Sequence, residues 1–302
     1  MEIKESYVFQ TDSEIVNSVY SEKDNYLIEL NPKATENYCV LYFSSNDLYF
    51  PNTELAFQEQ LINKNRFEWY GNRVRFASKH IFIRDIQKQW YLNGVNKRLD
   101  TPQKLHAFLE EETKGYKVIA LGSSAGGFAA ITYGQLLHAD RIYSFNGQFE
   151  VLSLLKKSKE STDPVIFRNQ NNPTLLPFFN TVNFITNPSS IYYFRSTQSV
   201  WDIEQNAHVM ALGINRISFT SSNHGLPFLK SNLPVVLNMS KSELDALTGK
   251  FYHPLFFSLK TVGLLKTIEG LNSILQFGLN KVYINTLLKW KTKLKEKYSG
   301  KN

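Results

Sequence analysis

The sequence predicts an α/β domain with a mostly parallel central sheet, flanking helices, an inserted cap region and a helical C-terminal extension. Three observations carry this expectation. Short β-type runs alternate with helix-type runs along most of the chain, and strand–helix–strand alternation needs crossover connections, hence parallel pairing. Hydrophobic residues make up 42% of the 302 residues and charged residues 20%, which suits a buried core and excludes disorder or a collagen-like repeat. A tight Gly/Ser turn also joins a buried-type strand to a helix of small residues.

The elements follow in order. Residues 26–30 and 38–43 read as strands joined by a turn signal at Asn31-Pro32. Residues 67–70 alternate weakly and end at Gly71-Asn72. Residues 80–84 form a strand that ends in Asp85. Thr101-Pro102 opens a helix whose Leu105, Phe108 and Leu109 share one face, and Lys114-Gly115 stops it. Residues 116–121 are a buried-type strand, 122–127 the tight turn, and 128–137 a helix of small and apolar residues. Strands follow at 141–145, 191–194 and 216–219, with a helix over 203–212.

Two stretches break the alternation. Residues 148–188 hold a Lys/Ser-rich run and then Leu175-Leu176-Pro177-Phe178-Phe179, whose apolar side chains need a surface to pack on, so a cap is expected. Residues 241–299 read as helices, with Leu264, Leu265, Ile268 and Leu271 on one face and Tyr283, Ile284, Leu287 and Leu288 on another. The expected organisation is a catalytic domain over 1–240, with the cap at about 148–188, and an extension over 241–302 packed on it.

The chemistry centres on Gly122-Ser123-Ser124-Ala125-Gly126-Gly127. A bare G-x-S-x-G is a weak signal, but a strand–turn–helix junction makes it a candidate nucleophile elbow. The turn must be sharp for the serine hydroxyl to project into a cleft. Small neighbours let strand and helix backbones approach, and the helix N-terminus supplies N–H donors beside the reacting oxygen. A phosphate loop would need a lysine after its last glycine, and a dinucleotide fingerprint would need glycine in place of Ser124. A plain connecting turn is the bland alternative.

A serine nucleophile needs a base and an orienting carboxylate, in the chain order Ser, Asp or Glu, His. His208 falls in an expected helix and His253 in the helical tail. His224 sits in Ser221-Ser222-Asn223-His224-Gly225, a loop just past a strand's carboxyl end, where open α/β sheets build their sites. Asp202 follows the preceding strand and is the expected acid, with an N-cap as its alternative role and Glu204 as its neighbour competitor. Ala125 and one of Ser44, Ser45 or Asn46 are the expected oxyanion N–H donors. Asp85, Trp90, Tyr91 and Trp201, near strand ends, are the candidate substrate-binding residues.

Together the elbow, Asp202 and Ser222-Asn223-His224-Gly225 resemble the α/β-hydrolase fold, and more narrowly the bacterial capsular and surface polysaccharide O-acetyltransferases built on it. The resemblance spans roughly residues 38–230. It implies acetyl-CoA as acyl donor, no permanently bound cofactor and a polysaccharide or oligosaccharide hydroxyl as acceptor, with Ser124 acetylated, His224 the base and Asp202 its orienter. A carbohydrate acetylesterase with the same triad and a non-catalytic glycan-binding or scaffold protein are the competing readings.

The remaining signals concern surroundings. Cys39 is the single cysteine, so an internal disulfide and a multi-cysteine zinc site are excluded, and it reads as a buried strand residue. No metal site is expected. The N-terminus has acids where a signal peptide has bases, and no apolar run is long enough to span a bilayer, so a soluble cytoplasmic protein is expected. The net charge is +7. Residues 289–301 hold six Lys and one Glu, or +5, which locates most of that excess. The tail reads as a solvated helix end or as a peripheral contact with anionic membrane; no nucleic-acid motif is visible. Aromatics make up 14% of the chain, most on strands, with Trp90, Tyr91, Trp201 and Phe228 near the expected triad.

Overall fold

The computed structural model describes the backbone of residues 7–299 and the side chains of residues 7–276. Eight strands form one sheet: β1 (Tyr26–Leu30), β2 (Glu36–Phe43), β3 (Ala77–Ile83), β4 (Lys117–Ser123), β5 (Arg141–Phe145), β6 (Ile191–Ser196), β7 (Asn215–Phe219) and β8 (Phe251–Tyr252). Their spatial order is β1-β3-β2-β4-β5-β6-β7-β8. Every neighbouring pair is parallel except β1 with β3. From β2 the chain goes to one side for β3 and crosses to the other for β4. That reversal opens a crevice beyond the carboxyl ends of β2 and β4, the place where such sheets bind ligands. Order, crossovers and elbow together make this an α/β-hydrolase-like fold.

Successive strand residues point to opposite faces. Val40 and Tyr42 join Phe82, Leu121, Phe145, Phe194 and Phe219 in one buried cluster. Cys39, Leu41 and Phe43 join Ile81, Ala120, Leu105 and Tyr133 in the other. Cys39 is fully buried, and burial pushes its thiol up to about 12, so it is an inert core residue. The helix Ala125–Leu136 is buried from Ala125 to Gln135. It lies between the sheet and the cap, which explains its lack of a polar face. The cap folds as short helices at Leu154–Lys157 and Pro164–Arg168 with several single turns. Val151, Val165, Ile166 and Phe179 pack on Ala125, Phe128, Trp90 and Leu92.

Close backbone approach, more than flexibility, requires glycine at two elbow positions. A Cβ on Gly122 would lie 2.2 Å from the Gly126 carbonyl oxygen, and one on Gly126 would lie 2.2 Å from the Phe43 oxygen. Neither backbone neighbour can yield without parting β4 or β2 from the helix. Gly126→Ala is therefore expected to cost about 3 kcal/mol of stability, the upper range for overpacking. Thermal unfolding of the variant beside the parent checks this, and equal midpoints would refute it.

Several sequence expectations are corrected. Residues 67–70 form a turn, not a strand: Phe67 and Trp69 are buried on the same side, and the Trp69 indole donates to the Phe43 oxygen at 2.9 Å. β1 and β2 follow each other across the Asn31-Pro32 turn, and in the sheet β3 lies between them. The helix expected over 203–212 runs Val200–Ala207, started by Ser199, whose hydroxyl accepts from Asp202 N–H. β8 was hidden in a stretch that reads as helical; its two residues extend the sheet beside β7.

The last helix spans Pro254–Ser299 and is interrupted at Gly263, whose φ of 78° and ψ of 175° are not helical. It meets the domain through Phe257, Ser258 and Thr267, all buried, and through Gly270 against Ser231. The stripe Leu264, Leu265, Ile268 and Leu271 is exposed instead, at 63%, 77%, 45% and 38%. Small side chains at 258, 267 and 270 allow closer backbone contact than the leucines do, which fixes the rotation of the helix. The side chains of Tyr283, Ile284, Leu287, Leu288 and the basic stretch 289–301 lie outside the described residues. No helix among the described residues is long and apolar enough to cross a membrane.

Candidate active site

Ser124 follows the last residue of β4 and precedes the buried helix. Its φ of 51° and ψ of −122° are a strained conformation for a residue with a side chain. The strain is held by its own backbone: Ser124 N–H donates to the Phe145 oxygen, and the Ser124 oxygen accepts from Phe128 N–H, both at 3.0 Å. The hydroxyl therefore projects away from the sheet and into a cavity of about 1110 Å³.

His224 and Asp202 reach this point from β7 and β6. Ser124 Oγ lies 2.9 Å from His224 Nε2, and His224 Nδ1 lies 2.8 Å from Asp202 Oδ1. Asp202 is 0% exposed and its Oδ2 has no partner among the described residues. A structural aspartate would use backbone donors on both oxygens; this carboxylate is aimed at the imidazole alone. A carboxylate on Nδ1 keeps that nitrogen protonated and turns the Nε2 lone pair toward the serine. Trp201 stacks on the His224 ring, with centroids 4.7 Å apart and planes 17° from parallel. The alternatives weighed in the sequence lie elsewhere: Glu204 pairs with Lys157 at 2.6 Å, His208 faces Glu150 at 3.4 Å, and His253 Nδ1 accepts from Leu255 N–H.

β7 stands three strands from β4, roughly 14 Å away at the usual strand spacing. The loop carrying His224 must bend back across β5 and β6. Asn146, just after β5, makes the bend: its Nδ2 donates to the oxygens of Asn223 and Gly225, each at 2.9 Å, on both sides of His224. Its Oδ1 accepts from Ser196 N–H at 2.7 Å, which ties the same residue to the end of β6. Asn146 has a φ of 44°, a left-handed conformation that asparagine tolerates better than most residues.

Of the expected oxyanion donors, two are otherwise engaged. Ser44 N–H donates to the Ile83 oxygen at 2.9 Å, continuing the β2–β3 ladder. Ser45 N–H donates to Glu68 Oε2 at 2.5 Å. Asn46 and Ala125 N–H have no acceptor among the described residues, and Asn46 lines the cavity beside Ser124. Glu68, on the turn at residues 67–70, lines the same wall, and burial raises its carboxyl above the usual range.

The four candidate substrate contacts divide. Trp90 and Trp201 line the cavity, as does Phe228. Asp85 does not: its carboxylate accepts the backbone N–H groups of Gln87, Lys88, Gln89 and Tyr91 and so organises a turn. Burial raises its carboxyl to about 6 against those four donors. Tyr91 does not either, being 1% exposed with its hydroxyl on the Ser44 and Ile83 oxygens. Both sit at a strand's carboxyl end, but behind the cavity wall.

One residue next to the serine escaped the sequence reading. Gln148 Nε2 lies 3.1 Å from Ser124 Oγ and 3.1 Å from His224 Nε2. The available signal was position: Asn146-Gly147-Gln148 follows the strand between the serine strand and the acid strand, so its polar residues open onto the same end of the sheet.

No protein-family model and no curated protein matches this sequence. Comparison with solved structures finds distant likenesses. A capsule O-acetyltransferase of Neisseria meningitidis serogroup A is 13% identical, covers 65% of this chain and 83% of its own, and gives a TM-score of 0.44. An inhibited esterase B from Lactobacillus rhamnosis is 10% identical over 88% of this chain and 89% of its own, at 0.41. An S-formylglutathione hydrolase from Agrobacterium tumefaciens is 10% identical over 74% and 90%, at 0.43.

Proposed function

We propose that the protein is a serine acyltransferase that moves an acetyl group from acetyl-CoA to a hydroxyl of a bacterial surface polysaccharide. The observation that carries the acyl-enzyme part is the relay from Asp202 through His224 to a strained Ser124, at 2.8 and 2.9 Å. His224 Nε2 takes the Ser124 proton as Oγ attacks the thioester carbon. Ala125 and Asn46 N–H hold the oxyanion. The imidazolium, stacked on Trp201, then protonates the departing thiolate, and an acetyl ester remains on Ser124.

Support for transfer over hydrolysis comes from the elbow, acid and histidine segments, which resemble the surface polysaccharide O-acetyltransferases, and from room. A cavity of about 1110 Å³ exceeds what a small acetyl ester fills and suits a sugar beside an acyl donor. Lys230 on its lining offers a cation to a phosphorylated donor. Incubation with acetyl-CoA should add one acetyl group to the intact protein by mass spectrometry. With a capsular oligosaccharide present, O-acetylated glycan should accumulate. Release of acetate with no acetylated glycan would make the protein an esterase, and no adduct and no turnover on any acyl donor would leave the binding reading.

We also propose that the acceptor is met at an anionic membrane face. The exposed stripe Leu264, Leu265 and Ile268 continues to Ile274, which lines the cavity, and residues 289–301 carry +5 in sequence. Apolar surface and cations on one segment suit a lipid interface. Full-length protein should co-sediment with phosphatidylserine vesicles but not with phosphatidylcholine vesicles, and deletion of residues 289–302 should abolish the difference. Equal sedimentation of both proteins would reject the contact.

A further inference from the structure

The carboxamide of Gln148, fully buried, stands beside Ser124 and His224 without a part in their relay. We propose that Gln148 is a specificity-determining residue that keeps water from the acyl-enzyme and so directs the acetyl group to a hydroxyl acceptor; this rests on the acyl-enzyme reading of Ser124.

Its orientation is fixed by a neighbour that can only donate. Gln148 Oε1 lies 3.2 Å from Trp90 Nε1, and an indole N–H has no acceptor capacity. The oxygen must therefore face Trp90, which leaves the N–H₂ facing Ser124 and His224. The surrounding chain is built around that placement. Gln205 Oε1 accepts from Phe149 and Glu150 N–H at 2.7 and 3.0 Å, holding the backbone directly after Gln148. Trp90 stands on the Asp85 turn, where Lys88, Trp90 and Tyr91 all have positive φ, at 59°, 54° and 60°. Three strained non-glycine residues in one turn are costly, and here they aim a tryptophan at the carboxamide. The same turn also carries the cap, since Gln89 Oε1 accepts from Val165 N–H at 3.1 Å.

The position matters for the second half of the reaction. In that half a nucleophile's oxygen bonds the acyl carbon and its proton goes to His224 Nε2. The carbon–Oγ bond breaks, and Oγ takes the proton back. With water the product is acetate; with an alcohol it is an ester. Either nucleophile must stand about 3 Å from Nε2 and close to Oγ. Gln148 Nε2, 3.1 Å from both, fills one sector of that ring with a group that is not itself a nucleophile. A water has only its local hydrogen bonds with which to displace the carboxamide. A glycan held elsewhere in the cavity has remote binding energy for it, and its hydroxyl oxygen can accept from the N–H₂.

The test uses the full chain with p-nitrophenyl acetate as donor and methanol or a capsular oligosaccharide as acceptor. The p-nitrophenol burst reports acylation, and the ratio of acetate to acetyl ester reports partition. Gln148→Ala should keep a burst and raise that ratio about tenfold or more. Trp90→Phe, which keeps an aromatic ring but removes the N–H, should raise it in the same direction by less, and covers the case where Gln148→Ala does not fold. A purely structural role would lower stability and burst amplitude without moving the ratio. A parent burst with an unchanged ratio in the folded variants overturns the role of Gln148 alone. A parent without any Ser124-dependent burst overturns the acyl-enzyme reading beneath it.

Discussion

Ser124→Ala is expected to lower kcat/KM for acyl transfer by at least about a thousandfold, since the nucleophile of a triad acts as part of a unit and nothing adjacent replaces it. Ser123, its neighbour in sequence, faces Glu68 at 3.5 Å and not His224. Folding should be nearly unaffected. Alanine keeps the Cβ that the elbow already tolerates at φ 51°, and the backbone bonds to Phe145 and Phe128 remain. His224 Nε2 keeps Gln148 Nε2 at 3.1 Å as a donor, so no polar group is left without a partner. The stability change should stay within about 1 kcal/mol. The two measurements are acyl turnover with burst amplitude, and the thermal midpoint. A variant that turns over like the parent would end the nucleophile assignment. One that loses both turnover and several degrees of midpoint would point to a structural serine.

What the sequence disclosed and what it hid have physical reasons. The elbow was legible because its chemistry is local: a buried strand, a tight turn and small residues lie within ten consecutive positions. Asp202 and His224 were legible because parallel crossovers put the carboxyl ends of β2 to β8 on one side of the sheet, so a polar residue just past β6 or β7 is near the crevice. That same rule misdirected the reading of Asp85 and Tyr91. They too follow a strand, but whether a side chain turns into the cleft or into the protein depends on hydrogen bonds that spacing does not encode. Gln148, Asn146 and Glu68 were hidden because their roles are made of contacts between distant segments: Asn146 with residues 223 and 225, Glu68 with Ser45, Gln148 with Trp90. The exposed leucine stripe of the last helix has a related cause. Periodicity tells which residues share a face, and it does not say that Ser258, Thr267 and Gly270 offer a closer fit to the domain.

Asp202→Asn separates an orienting carboxylate from a merely buried one. The native carboxylate is 0% exposed, bonded to His224 Nδ1 at 2.8 Å and otherwise unpartnered among the described residues at Oδ2. As a fixed acceptor it permits one tautomer: Nδ1 protonated, Nε2 free to take the Ser124 proton. A carboxamide can face Nδ1 with either end. With its N–H₂ there, the imidazole must present a lone pair at Nδ1 and carry its proton at Nε2. It then donates to Ser124 Oγ instead of receiving from it, and it loses the negative charge that stabilises the imidazolium. The expected fall in kcat is about ten-thousandfold at neutral pH, the scale seen when a triad carboxylate becomes an amide. KM should change little, since Asp202 is buried behind the ring and does not line the cavity. Stability should be equal or higher, because a buried carboxylate with a bare oxygen is replaced by a neutral group of the same shape. That combination, activity lost while the folded state is kept or strengthened, is the signature of a residue held for chemistry at the expense of stability. An Asp202→Asn protein with activity within tenfold of the parent would show that His224 is oriented without it, by Trp201 and the Asn146 clamp on its loop.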